Sequence, residues 1–134
     1  MTFVDAAAIV AILVAEPEAD RCAAAITAAS DPFTSPIAVW EAVISLARPD
    51  KFGRIDRAQT AVHRLLDDCG IELRQMPPPA EAASISTEAA RLYRSGRRRL
   101  NLADCFHYAC ARHYGAAILS TDDEFRFTDL ETVP

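Results

Sequence analysis

At 134 residues the chain has the length of one domain built around one core. It is 51% hydrophobic and 25% charged, a balance that excludes a disordered chain and one made of membrane spans. A net charge of -5 argues against a protein that grips nucleic acid through overall basicity.

Thr2-Phe3-Val4-Asp5 reads as a short buried strand that ends in an acid. An alanine-rich helix follows from Ala6 to Val14, with Ile9, Ile12 and Leu13 at helical spacing. The apolar stretch Ala6 to Ala15 is too short to cross a bilayer. It follows an acid and has no basic leader, so a cytoplasmic protein is expected. Glu16-Pro17-Glu18 breaks the helix, and Pro17 suits the first turn of a second one reaching Ala29.

Ser30-Asp31-Pro32 signals a turn, and Phe33-Thr34-Ser35 a second strand. Pro36 opens an apolar helix through Val39, Trp40, Val43, Ile44 and Leu46-Ala47. Ile55 to Cys69 is amphipathic, with Ile55, Ala58, Val62, Leu65 and Leu66 on one face and Gly70 as its stop. Ile71-Glu72-Leu73 alternates like a strand, and Met76-Pro77-Pro78-Pro79 is a stiff connector.

Ala80 to Tyr93 and Asn101 to Tyr114 are expected helices separated by a loop at Ser95-Gly96. In the second of them Leu102, Cys105, Phe106 and Ala109 are expected to face inward. Ala117 to Ser120 is a continuous apolar strand, and Thr128 to Val133 offers an edge strand. Strands alternating with helices imply an α/β fold, a mainly parallel sheet covered on both faces. Ligands of such sheets bind beyond the carboxyl ends of the strands, where Asp5 and Asp122 fall.

Cys22, Cys69, Cys105 and Cys110 form no C-x-x-C pair and have no histidine at zinc-finger spacing. Buried free thiols are the expectation. Neither a phosphate-binding P-loop nor a dinucleotide fingerprint is present. His63 is expected to be solvated, and His107 and His113 share a helix without an obvious nucleophile. A dyad of His107 with Cys110 carries little weight, because Cys110 is expected in the core.

Four acids remain: Asp5, Glu41, Asp104 and Asp122. Asp5 is also a natural helix cap, Asp104 a partner for a helix dipole, and Asp122 with Asp123 a pair of turn residues. Glu41 is harder to explain away, since its apolar helix implies partial burial, which calls for a metal or an arginine. Taken together, crowded carboxylates repel one another and need a counter-charge. Mg²⁺ or Mn²⁺ provides it through oxygen ligands and supplies activated water for phosphate chemistry.

"FVDAAAIVAILVAEPEA" (Phe3 to Ala19), "SPIAVWEAV" (Ser35 to Val43), "LNLADCFHYACA" (Leu100 to Ala111) and "ILSTDDEFRFTDL" (Ile118 to Leu130) resemble, in order and spacing, the four blocks of PIN-domain proteins. The similarity is greatest to VapC-type toxins of toxin–antitoxin pairs. It implies one PIN-like three-layer α/β/α domain over residues 1–134, with a central sheet of four to five strands. It further implies a divalent-metal endoribonuclease acting on structured RNA such as tRNA or rRNA. A cognate VapB-type antitoxin would inhibit it, with a homodimer or toxin–antitoxin hetero-oligomer as the assembly. DNA would be reached only through the antitoxin.

Carried over by the resemblance, Asp5, Glu41 and Asp104 match the first three acids of the family. Asp122 matches the fourth through its Ser120-x-Asp122 pattern, with Asp123 as the alternative. Asn101 matches a polar position able to orient an acid or a water. The family's Thr or Ser after the first acid is replaced by Ala6-Ala7-Ala8, so a supporting hydroxyl is expected to be missing and metal binding weaker. Arg94, Arg97, Arg98 and Arg99, in a short loop, are candidates for contact with RNA phosphates or antitoxin carboxylates, or form a solvated face. The alternative to the nuclease is a non-catalytic PIN-like module that binds RNA or protein. A third reading is a DNA nuclease of related fold.

Overall fold

A computed structural model describes residues 1–96 and 99–134. Five short strands, Thr2–Val4 (β1), Pro32–Thr34 (β2), Glu72–Leu73 (β3), Ala117–Leu119 (β4) and Thr132–Val133 (β5), form one sheet in the order β3-β2-β1-β4-β5. Every pairing is parallel, with Phe3 opposite Phe33 on one side and Ile118 on the other. Chain order therefore runs outward in both directions from β1. The point of reversal, between β1 and β4, is where such sheets open a crevice.

Successive strand residues point to opposite faces, and this divides the core. Val4 and Leu119 join the cluster containing Ile9, Val43, Leu46 and Val62, on the helices Ala6–Leu13 (α1), Ala19–Ala28 (α2), Pro36–Leu46 (α3) and Ile55–Cys69 (α4). Phe3, Phe33 and Ile118 join the cluster containing Ala89, Leu100, Cys105 and Tyr108, which packs the helices Pro79–Tyr93 (α5) and Leu102–Tyr114 (α6) on the other side. The result is the expected three-layer α/β/α arrangement. Truncating a fully buried ring such as Phe3 to alanine costs about 3–5 kcal/mol at sites of this kind.

Helix ends follow local chemistry. The Ser35 hydroxyl accepts the Ala38 N–H at 3.2 Å, and Pro36 occupies the first helical position of α3. Gly70 and Gly115 close α4 and α6 at φ 63° and 66°, in the left-handed region that suits glycine.

Several local expectations are corrected. Pro17 is not in the first turn of α2, which begins at Ala19 after Glu18. The last strand spans only Thr132–Val133, because residues 128–130 bend, with the Leu130 N–H donating to Thr128 Oγ1. Leu102 is 71% exposed and Ile55 58% exposed, since each is the first residue of its helix and projects past the layer it packs on. Cys22, Cys105 and Cys110 are buried free thiols, whereas Cys69, the last residue of α4, is exposed. Among the described residues, no helix is long and apolar enough to cross a membrane.

Candidate metal centre

β1 delivers Asp5 straight into α1, where it is the N-terminal cap. Its Oδ1 accepts the Ala6 N–H at 2.7 Å, so the capping role is real, yet the carboxyl lies buried at the sheet's point of reversal. Its other oxygen, Oδ2, accepts the Ser120 hydroxyl at 2.6 Å. Ser120 follows β4 directly, and its Oγ accepts the Asp122 N–H at 3.1 Å. Ala6, Ala7 and Ala8 bring no hydroxyl to Asp5, and Ser120, just after the neighbouring strand, brings one.

Glu41 stands on α3, with its side chain 32% exposed. Among the described residues it is not paired with an arginine. Instead, Nε2 of His107 lies 3.0 Å from Glu41 Oε1 and 3.4 Å from Asp5 Oδ1. Ligand-type atoms of Asp5, Glu41 and His107 all fall within 4.8 Å of one another. Sequence reasoning missed His107. The signal was its spacing from Asp104: three residues apart on α6, the two share a helix face.

Asp104 lies one turn earlier, in a reciprocal cap. The Asn101 side chain accepts the Asp104 N–H at 2.8 Å, and Asp104 Oδ2 accepts the Asn101 N–H at 2.9 Å. Asn101 therefore fixes Asp104 through the backbone. Asp104, Asp122, Glu41 and Asn101 line one cleft of about 280 Å³. Asp123 lines a different cavity and pairs with Arg126 at 3.4 Å.

The electrostatics reflect this crowding. Burial raises the Asp5 carboxyl, opposed by the nearby His107 and the Ser120 hydrogen bond. Loss of hydration, relieved in part by the Asn101 N–H and added to by the charge of Asp5, pushes Asp104 up to about 6. Asp122 is exposed as a residue, but the cleft walls withdraw its carboxyl from water. With the charges of Asp5, Glu124, Asp104 and Glu41, they bring it to about 6. Burial works against protonation of His107, yet the hydrogen bond to Glu41 and the charge of Asp5 carry its pKa upward. An oxygen-rich, anion-crowded cleft of this kind fits a hard divalent cation.

Among the described residues lining the cleft, Lys51 is the single cation, and sequence reasoning passed over it. Its Nζ donates to Ser45 Oγ at 3.2 Å. It also lines a larger adjoining cavity of about 500 Å³ with Arg57, Arg64 and Asp56, so three cations and one acid flank the space beyond the cleft. Arg94 and Arg99 are exposed, and Arg97 and Arg98 lie outside the described residues.

A family model for the PIN domain matches residues 2–130. Ribonuclease VapC30 of Mycobacterium tuberculosis (strain ATCC 25618 / H37Rv) is 30% identical over 132 residues, covering 97% of this chain and 96% of that protein. The crystal structure of Mycobacterium tuberculosis VapC20, a sarcin-ricin loop cleaving toxin, superposes with a TM-score of 0.73 at 18% identity, over 100% of both chains. VapBC2 from Rickettsia felis, bound to a DNA fragment from its promoter, gives a TM-score of 0.72 at 15% identity, over 98% of this chain and 96% of that one. The chain belongs to the PIN-domain family and, within it, to the VapC ribonucleases.

Proposed function

We propose that Asp5, Glu41, Asp104 and Asp122 hold a divalent cation, Mg²⁺ or Mn²⁺, with which this VapC-type endoribonuclease hydrolyses RNA phosphodiester bonds. The supporting observation is the convergence of Asp5 and Glu41, from separate elements, close enough to Asp104 and Asp122 for their charges to raise the proton affinity of both. Bound there, the cation would polarise a phosphate and make water nucleophilic near neutral pH. The chain's own groups prepare the place. Ser120 and the Ala6 N–H fix both oxygens of Asp5, Asn101 fixes one oxygen of Asp104, and Lys51 offers a positive charge to a phosphate at the rim.

Like the VapBC assembly that shares its fold, the chain is assigned a small antitoxin as its partner, acting on the cleft that RNA would otherwise enter. The non-catalytic reading drew its support from the Ala6-Ala7 departure, and the Ser120 hydrogen bond to Asp5 weighs against it.

Cleavage of structured RNA by the purified chain tests the reading. Activity should require Mg²⁺ or Mn²⁺, stop with EDTA, and disappear in Asp5→Asn while the circular dichroism spectrum is kept. Full activity in EDTA or in that variant overturns it.

A further inference from the structure

We infer that His107 is a positioning residue that ties Glu41 to Asp5 through a fixed Nε2–H, rather than a ligand of the cation. This rests on the metal-centre reading above.

The imidazole is fully buried, and its two nitrogens live in different surroundings. Nε2 meets two carboxylates, at 3.0 Å from Glu41 and 3.4 Å from Asp5. Nδ1 has no hydrogen-bond partner among the described residues. A histidine that coordinates through Nε2 must carry its proton on Nδ1, and ligating histidines almost always donate that N–H to an acceptor. Here such a proton would be buried and unpaired, which costs a group its hydration with nothing in return. With the proton on Nε2, Nδ1 needs no acceptor, and the N–H points at the carboxylates. An Nε2 that bears hydrogen has no lone pair for a metal.

The bond also joins distant parts of the chain. Asp5 follows β1, Glu41 is on α3 and His107 is on α6. Glu41 is the most solvent-accessible member of this trio, so it gains most from being held. The Phe3 ring, 5.7 Å from the imidazole between centroids, helps to fix the donor in turn. His107 thereby limits the rotamers of Glu41 and presets its distance from Asp5.

The test uses Mn²⁺ as probe in the full chain, with His107→Leu and His107→Gln compared with wild type. A glutamine side chain restores an N–H donor near the Nε2 position, whereas leucine cannot. Mn²⁺ affinity, read from free-ion electron paramagnetic resonance, should fall about tenfold to a hundredfold in His107→Leu. It should return to within about threefold of wild type in His107→Gln, well inside the loss seen when such supporting bonds are removed. Electron spin-echo modulation of the wild-type Mn²⁺ complex should show no directly coordinated imidazole nitrogen. That measurement stands even where the leucine variant fails to fold. A coordinated ¹⁴N signal, unchanged affinity in the leucine variant, or no recovery with glutamine overturns the positioning role while leaving the metal centre intact. Absence of any Mn²⁺ uptake by wild type overturns both.

Discussion

Ser120 and Asp5 lie 115 positions apart in the chain, and a 2.6 Å hydrogen bond joins them at the reversal point of the sheet. The hydroxyl donates to Asp5 Oδ2 and accepts from the backbone of Asp122, so one small side chain couples the acids that follow β1 and β4. Removing it in Ser120→Ala leaves a buried carboxylate oxygen short of its donor. Mn²⁺ affinity measured by calorimetry is expected to drop about tenfold, the usual scale for losing a bond that orients a ligand. Unchanged affinity would show that Asp5 needs no such support.

Asp122 gives a pH prediction with a definite sign. Its folded-state pKa, about 6, lies above the ordinary value of 3.8. Its favourable contribution to stability is therefore complete below about pH 4 and is lost as pH rises through about 6. In EDTA at pH 7.5, Asp122→Asn should melt about 2 °C higher than wild type, a modest shift because the carboxyl is only partly withdrawn from water. At pH 4 the gap should close. With saturating Mg²⁺ at pH 7.5 the order should reverse, since the variant forfeits a ligand. Differential scanning fluorimetry under the three conditions reads all of this.

The reciprocal cap at the start of α6 has a stability of its own. Asn101→Ala removes the acceptor for the Asp104 N–H, and caps of this type contribute about 1 kcal/mol. Urea unfolding should show a loss of that size. The backbone N–H of residue 101 still donates to Asp104 Oδ2 in this variant, so cleavage by the folded protein should change little. A stable but inactive variant would show that the Asn101 side chain itself serves the site.

Lys51 stands between the acidic cleft and the basic cavity of Arg57 and Arg64. Lys51→Met should raise the KM for RNA severalfold and lower the slope of log affinity against log salt by about one. Metal uptake should be unchanged or slightly tighter, because the substitution removes a positive charge from the rim.

β1 and β4 were legible as short apolar runs followed by acids, and the alternation of strand and helix dictated a parallel sheet. Asp5 and Asp122 could be placed at its carboxyl edge on that basis alone. Glu41 was legible as a partly buried charge, but not its partner. α3 is apolar on nearly all sides, so no periodicity showed which face is covered, and Trp40 on it is 63% exposed. His107 escaped notice because it was weighed against Cys110 and His113 on its own helix. Its actual partners come from β1 and α3, contacts that exist only once three elements are packed. Lys51 escaped for the same reason: it sits in a turn after α3, and only the fold brings it beside the cleft.

The central claim is that separated carboxylates trap a divalent ion, and calorimetric titration with Mn²⁺ at neutral pH tests it most directly. Wild type should bind saturably, and the double variant Asp5→Asn with Glu41→Gln, kept folded by circular dichroism, should release almost no heat. No uptake by wild type, or equal uptake by the double variant, would contradict the claim.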